Sequence, residues 1–528
     1  MWFDLGPIWI LRSGSRYSWL WFLAFYSLVA NLPYWFASRE FAFIPLGWFC
    51  IQYVTVGLLA LFLPRLVSAL LLFAVILGDL LCGVCRSYSL PLGESFENLR
   101  VAHDLPGVRI SFAIAVILLG VFVAAASMLL PAAALTRKQR WRAAGGLLAF
   151  GAFIAGADIL FVGLATGGLP PTLRRSNAID GVDLRISRIP RLARFPVVQL
   201  TKIELADAAL QKKENSSTGP ALDVPSAMAV AVRRSGILSD QSGAEAPNLV
   251  LIVVESWGEA SDPQLKNALT QPYLQAGILA KYDVVQGSVP FAGATVPGES
   301  RELCGKSYGF HLLNASRSTL QGCLPDRLAA IGYHSVAVHG MNGNLFNRAN
   351  WYKTIGFQEI WFHDQFKDLG LPDCPGVFIG TCDANIADWI GRRLDEDSPR
   401  PYFIHWMTLN SHLPVLVPAP LTNGAPCTSS LSLAPDTPLC SWYQLVANVH
   451  RSVAELAAGN LARPTVFAIV GDHAPPFADP AMRDTFSQLQ VPYVILLPRA
   501  GRSPARATVA HNAAEPVRGS SRQLIQIP

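Results

Sequence analysis

Two apolar runs of this chain end in side chains that could hold a metal ion. The run 465–470 is closed by Gly471-Asp472-His473, and the run 248–254 is closed by Glu255. Two buried parallel strands that each deliver ligands at their carboxyl ends describe a hydrolytic or group-transfer site, because ligands gather in the crevice outside those ends. Such a site needs a nucleophile. Thr295, in Gly293-Ala294-Thr295-Val296-Pro297-Gly298, is the candidate, since a glycine-rich approach leaves its backbone accessible before a helix that can stabilise phosphate charge. Ser288 and Ser300 compete with it, and Ser300 reads as part of the following helix. A threonine hydroxyl is a weak nucleophile at its free pKa, so it needs a cation on its oxygen. Glu255, Thr295, Asp472 and His473 supply three oxygens and one nitrogen, a set that suits zinc and tolerates manganese.

Two histidines stand at or just after expected strand ends, and an arginine is a further candidate. His339 closes the run 335–339, and His412 follows the run 402–409. Arg348 offers a planar fork for a phosphate or head group, or else a structural salt bridge. Trp257 reads as a packing tryptophan. Cys304 is a poor nucleophile if a disulfide consumes it.

The elements that must position these residues alternate between strand and helix. After the Glu255 strand come a helix over 264–280, a strand over 282–289, the Thr295 turn and helices over 301–307 and 324–331. A strand over 335–339, a helix over 383–394, a strand over 402–409, a helix over 442–456, the Asp472 strand and a strand over 492–497 complete the series. That alternation predicts an α/β domain with a mostly parallel sheet sandwiched by helices.

The front of the chain has another character. With 528 residues, 51% hydrophobic and only 15% charged, the chain is too long for one domain and too apolar to be purely soluble. Five segments are long and apolar enough to span a bilayer: 17–36, 43–63, 66–84, 110–130 and 143–169. Arg12 and Arg16 precede the first, and Arg137, Lys138, Arg140 and Arg142 crowd the loop between the last two. The positive-inside rule then puts the amino terminus in the cytoplasm and everything after residue 169 outside. A cleaved signal peptide is the alternative for the first segment, but it has no small-residue cleavage site. The organisation predicted is a five-span anchor over 1–169, a juxtamembrane connector over 170–246, a catalytic domain over 247–500 and a basic tail over 501–528. Within the connector, 185–210 suits short amphipathic helices at the membrane surface or an ordinary surface helix. The net charge of +5 is small for this length and its basic residues sit beside the spans, which argues against nucleic acid as a partner.

Cysteine placement tests this topology independently. Cys304, Cys323, Cys374, Cys382, Cys427 and Cys440 all fall in the part expected outside, as three sequence-neighbouring pairs. In an oxidising compartment the economical arrangement is three local disulfides, 304 with 323, 374 with 382 and 427 with 440, out of 15 connectivities that six cysteines allow. A structural zinc site is the alternative, though no Cys-x-x-Cys occurs among the six.

Taken together, 248–258, the Gly-x-Thr turn about forty residues on, His339-Gly340 followed by Phe346-Asn347-Arg348, Ser411-His412-x-Pro414 and Gly471-Asp472-His473 resemble the alkaline phosphatase and sulfatase superfamily. Within it they are similar to membrane-anchored phosphotransferases: lipoteichoic acid synthases and other phosphoglycerol transferases, and phosphoethanolamine transferases. Gly-Asp-His-x-Pro at 471–475 and Asn347-Arg348 look like the phosphoglycerol branch, whereas the cysteine pairs at 374–382 and 427–440 look like the phosphoethanolamine branch. The Asp-His-Gly-Glu of the latter is here Asp472-His473-Ala474-Pro475, which leaves the transferred group open.

The resemblance implies a zinc-dependent enzyme of the bacterial inner membrane with its catalytic domain on the periplasmic or extracellular side. It would take a phospho-head-group from a phospholipid donor, hold it on Thr295 and pass it to an envelope glycan or lipid. It also implies that His412 binds the phosphate or protonates the leaving oxygen. A hydrolase of the same superfamily, phosphodiesterase or sulfatase, is the alternative. The formylglycine pattern Cys/Ser-x-Pro-x-Arg of sulfatases is met here by Thr295-Val296-Pro297-Gly298-Glu299, with threonine first and Glu299 in the arginine's place, which argues against sulfate-ester cleavage. A catalytically silent sensor or scaffold is argued against by the intact Glu, Thr, Asp and His set.

Overall fold

A computed structural model describes residues 18–40, 47–87, 107–129, 135–166, 192–195, 225–238 and most of 246–499. Most of the expected connector, the tail 501–528 and Gly293-Ala294 of the Thr295 approach lie outside the described residues.

The amino-terminal part is helical: α1 (Ser18–Ser27), α2 (Leu32–Glu40), α3 (Ile51–Ala60), α4 (Arg65–Ser87), α5 (Gly107–Ser127) and α6 (Arg137–Thr166). Two stretches, Ser18–Ser38 and Arg65–Cys85, are long and apolar enough to cross a membrane, and they suggest membrane anchoring. The first is not one continuous α-helix. A 3-10 turn, Val29–Asn31, separates α1 from α2. There Pro33 has no N–H to carry on the ladder, and the Asn31 side chain donates back to the Ser27 carbonyl at 3.0 Å. The helices pack around Phe22, Tyr26, Tyr53, Leu72, Ile76 and Leu147, while Phe62, Phe122 and Phe153 face outward. Apolar side chains on both inner and outer faces are what a lipid-surrounded bundle requires.

A fragment of the connector enters this bundle. Ala193–Arg194 pairs in parallel with Phe49–Cys50, and the fully buried Arg194 guanidinium meets both oxygens of Asp79 at 2.7 and 2.6 Å. It also donates to Asn31 Oδ1 at 3.0 Å and to the Gly47 carbonyl at 2.7 Å. A charge removed from water is tolerable only when paired and hydrogen-bonded in this way.

The carboxy-terminal part is built on a seven-stranded sheet. Its strands are β1 (Asn248–Val254), β2 (Tyr282–Pro290), β3 (His334–His339), β4 (Glu359–Trp361), β5 (Tyr402–Met407), β6 (Thr465–Gly471) and β7 (Gln490–Pro498), in the order β2-β7-β6-β1-β5-β3-β4. β7 is antiparallel to both neighbours, and the other pairings are parallel. The sheet is therefore mostly parallel and covered on both faces, which explains why its central strands read as continuous apolar runs.

The period-two alternation sorts each strand between two cores. Leu249, Leu251 and Val253 of β1, with Val466, Ala468 and Val470 of β6, face α7 (Ala227–Ser235), α8 (Thr295–Cys304), α9 (Leu324–Ala330) and α10 (Arg348–Thr354). Val250, Ile252 and Val254, with Phe467 and Ile469, face α11 (Asp383–Asp395) and α12 (Pro438–Ala458). The helix expected over 264–280 is two short ones, Pro263–Thr270 and Ala276–Lys281, divided by a 3-10 turn that contains Pro272. The helix expected from 301 begins instead at Thr295, because Pro297 and Gly298 fall in its first turn, where the missing N–H of proline costs nothing. Disulfides join Cys304 to Cys323, Cys374 to Cys382 and Cys427 to Cys440.

Candidate metal and phosphoryl site

The parallel strands β6, β1, β5 and β3 all end on one side of the sheet, and the polar residues gather there. Glu255 follows β1 directly. Its N–H donates to Thr408 Oγ1 just past β5 at 2.9 Å, so the two strand ends are fixed to each other. Ser256 then takes a left-handed conformation, φ 56°, which is costly for a residue with a Cβ. That turn lets its hydroxyl donate to Glu255 Oε1 at 2.8 Å and its N–H donate to Asp472 Oδ1 at 2.7 Å. A single strained residue thus ties the end of β1 to the end of β6.

Asp472 and His473 follow β6 and lie against α8. Gly298 of α8 comes so close that a Cβ there would sit 2.9 Å from the Asp472 Cβ, which is why the position is glycine. Arg301, one turn on, donates to the Gly471 and Asp472 carbonyls at 2.8 and 3.4 Å. The helix that starts with Thr295 and the loop that carries two of the candidate ligands are therefore one rigid unit.

Within that unit Thr295 Oγ1 donates to Glu255 Oε2 at 3.1 Å and lies 3.4 Å from His473 Nε2. His473 Nε2 is 3.4 Å from Glu255 Oε1 and 3.3 Å from Asp472 Oδ2. One ligand atom each from Glu255, Asp472 and His473 falls within 4.8 Å of the others, and all three residues are buried. Two details fit this group to a cation. Asp472 Oδ2 is buried with no hydrogen-bond partner, although a buried carboxylate oxygen normally has one. His473 Nδ1 donates to the Ala474 carbonyl at 2.9 Å, which leaves Nε2 as the ring nitrogen turned toward the cluster.

The electrostatics say the same. Burial and the neighbouring Glu255 push Asp472 up. Burial opposes the charge on Glu255, but His412 and His473 outweigh it and hold the carboxyl well below the usual range. Burial likewise disfavours a charged His473, yet Asp472 and Glu255 raise it to about 9. A cluster that draws a proton onto an imidazole in this way is one in which a divalent cation can take that proton's place.

The remaining sequence candidates lie close enough to Glu255 for their charges to interact with it. His412 is half-buried, its ring lies edge-on to Phe378 at 4.6 Å, and its Nδ1 faces the Leu413 carbonyl at 2.6 Å. His339 is buried, with Nδ1 facing the Met407 carbonyl at 3.0 Å; burial first, and then the charge of Arg348, lower it to about 3. It is a neutral ring at physiological pH. Arg348 presents its fork to a carboxylate: Nε and Nη2 both donate to Glu299 Oε2, at 3.0 and 2.7 Å. Of the two uses the sequence leaves open for this guanidinium, the structure forms the buried salt bridge. Ser288 donates to Glu259 at 3.1 Å and Ser300 to the Pro297 carbonyl at 3.0 Å, so neither shares the Thr295 position. Trp257 is buried edge-on to His450.

Sequence reasoning assigned no role to several residues that shape the site. Glu299 also accepts from the Tyr352 hydroxyl and lies 3.2 Å from His405 Nε2, all fully buried beneath α8. The signal for this network was a lone histidine inside the apolar strand 402–407. Ser256 and Thr408 gave no comparable signal, because serine and threonine at strand ends are ordinary turn residues, and Ser411 stood out only as the neighbour of His412 in its motif.

A profile of the family described as Sulfatase matches residues 247–517. No curated protein matches the chain. Among solved structures, the lipoteichoic acid synthase LtaP of Listeria monocytogenes is similar at 14% identity and TM-score 0.38, over 51% of this chain and 71% of that one. The Streptococcus pyogenes phosphoglycerol transferase GacH, in complex with sn-glycerol-1-phosphate, is similar at 14% identity and TM-score 0.36, over 53% and 77%. The C-terminal periplasmic domain of EptC from Escherichia coli, in complex with Zn, is similar at 13% identity and TM-score 0.34, over the same shares.

Proposed function

Since the chain belongs to the sulfatase family of the alkaline phosphatase superfamily, we propose that it is a membrane-bound transferase. It moves a phospho-head-group, phosphoethanolamine or phosphoglycerol, from a phospholipid to an envelope glycan or lipid. The observation that carries the reading is Thr295 Oγ1 at the amino terminus of a helix, 3.1 Å from Glu255 and beside the buried Asp472 and His473. A threonine cannot become formylglycine, so sulfate-ester chemistry has no support in this nucleophile. The apolar amino-terminal helices favour a donor and an acceptor held at a bilayer.

A zinc ion held by Glu255, Asp472 and His473 with the Thr295 oxygen would neutralise phosphoryl charge and make that hydroxyl acidic. Thr295 Oγ1 attacks the phosphorus of the donor while its proton leaves to solvent by way of Glu255 Oε2, the oxygen to which it is hydrogen-bonded. The bond from phosphorus to the diacylglycerol oxygen breaks, and that oxygen takes a proton from His412. The head group is then a phosphate ester of Thr295. An acceptor hydroxyl attacks the same phosphorus and gives its proton to His412; the bond to Thr295 breaks, and Oγ1 regains a proton from solvent by the same route. The first N–H groups of α8 face the phosphoryl oxygens, as at other helix amino termini.

The test is turnover of a fluorescent phospholipid by the full chain in micelles, with intact-mass detection of a modified Thr295 and mass spectrometry of envelope lipids and glycans from cells with and without the gene. Thr295→Ala is expected to lower turnover by at least about a thousandfold while retaining most of its metal. Near-normal turnover by that variant would overturn the reading. Release of the head group to water, with no modified acceptor in cells, would favour the phosphodiesterase.

A further inference from the structure

We infer that Asp383 is a positioning residue of this reaction, holding the segment 408–412 so that His412 stands at the site. The inference rests on the transferase reading above. β5 ends at Met407, and the next five residues carry His412 with no strand or helix to fix them.

The segment is instead pinned from two sides. On the metal side Thr408 N–H donates to the Val253 carbonyl at 3.0 Å, Thr408 Oγ1 accepts the Glu255 N–H, and Ser411 Oγ donates to the Glu255 carbonyl at 2.6 Å. On the other side stands Asp383, the first residue of α11, only 2% exposed. Its Oδ1 accepts the Leu409 N–H at 3.0 Å, and its Oδ2 accepts Leu409 and Asn410 N–H at 3.1 and 2.8 Å. Its own N–H donates to Asn410 Oδ1 at 2.8 Å, so the two residues clasp each other.

A carboxylate suits this place. Both oxygens receive backbone N–H groups, and an amide would turn its NH2 toward one of them. Asp383 is itself immobilised by its neighbour in sequence. Cys382 is bonded to Cys374, whose sulfur accepts from Asn410 Nδ2 at 3.3 Å, and Thr381 N–H donates to the carbonyl of Gly340, next to His339, at 2.7 Å. Phe378 of the same disulfide-closed loop lies against the His412 ring. Asp383 therefore joins the Cys374–Cys382 disulfide to the segment that Thr408 and Ser411 tie to β1 and Glu255, and His412 is held between the two.

The test compares two donors with one head group, a phospholipid and its p-nitrophenyl ester. The nitrophenolate leaves without a proton, so in the first half-reaction, in which Thr295 is loaded and the leaving group departs, only the phospholipid needs a placed His412. With the zinc-loaded full chain, Asp383→Asn is expected to slow loading of Thr295 from the phospholipid about a hundredfold while loading from the p-nitrophenyl ester, read as single-turnover nitrophenolate release, stays within about threefold and metal content is unchanged, a pattern that His412→Ala should share. Asn410→Ala, which removes the reciprocal hydrogen bond and creates no buried charge, should show the same skew at about tenfold and decides the matter if Asp383→Asn does not fold. Equal loss on both donors, or no loss, in a folded variant would overturn the inference. A wild-type chain that turns over neither donor would instead overturn the transferase reading.

Discussion

Arg348→Met removes the cation that faces Glu299 while keeping a side chain of similar length, and the structure fixes the sign and size of the effect. Burial opposes the charge on Glu299, but Arg348 and His405 hold the carboxyl at about 2 against an ordinary 4.5. That difference, at about 1.4 kcal/mol per pH unit, makes the ionised pair worth about 3 kcal/mol at neutral pH. Measured losses from breaking one side of a buried pair, about 3–5 kcal/mol, agree. For a domain of this size such a loss lowers Tm by about 6–12 °C. The pH dependence follows from the direction of the shift. A carboxyl depressed in the folded state stabilises above its unfolded pKa, and that stability is lost as pH falls from about 4.5 through about 2. In Arg348→Met burial is left opposed by His405 without the guanidinium, so the Glu299 charge is a liability at pH 7 that vanishes once the group is protonated. Thermal unfolding of both proteins should therefore give Tm curves that are far apart at pH 7, draw together below about pH 4.5 and converge toward pH 2. A gap under about 1 kcal/mol, or one constant over that range, would refute an ionised Glu299 beneath α8.

Two other outcomes follow from the buried charges. Stripping divalent metal with a chelator should abolish turnover and lower Tm by an amount equivalent to about 4 kcal/mol at a free metal concentration a thousand times Kd, and zinc should restore both; an unchanged Tm would mean that the Glu255, Asp472 and His473 cluster holds no ion. In the amino-terminal bundle Asp79→Asn or Arg194→Gln alone should each cost about 3–5 kcal/mol, read as loss of folded protein from the membrane fraction, and the double variant should recover much of it; a double variant no better than Arg194→Gln would refute the pairing.

Much of the candidate site was legible because its candidate ligands terminate apolar runs. Glu255, Asp472 and His473 stand where a buried strand must end, and the change from apolar to polar marks both the element and its carboxyl edge. Thr295 was legible through the glycines around it, but the start of its helix was not. Pro297 and Gly298 count against a helix interior, and only the structure shows that they occupy a first turn pressed against Asp472. The five expected spans contain helices, yet α3 has 10 residues and α1 is parted from α2 by a turn that Asn31 stabilises from a distance, accepting the Cys50 N–H at 2.9 Å. Periodicity reports how apolar a segment is, and says little about where a side chain from elsewhere interrupts it.

What stayed hidden was partnership across sequence distance. Arg348 was read as a planar fork that could meet a phosphate or a carboxylate, and nothing within several residues of it decides between them. The deciding residue is Glu299, 49 positions away, on the helix that begins with Thr295. That choice has a functional consequence. With Nε and Nη2 both on Glu299, Arg348 anchors the base of α8 to α10 and, through His405, to β5. The amino terminus of α8 is thereby held against the ends of β1 and β6 by Gly298 and Arg301 above and by Glu299 below. Since a displacement of about 1 Å can cost a hundredfold in rate, a buried ion pair of modest net stability can still be retained for the position it enforces on Thr295.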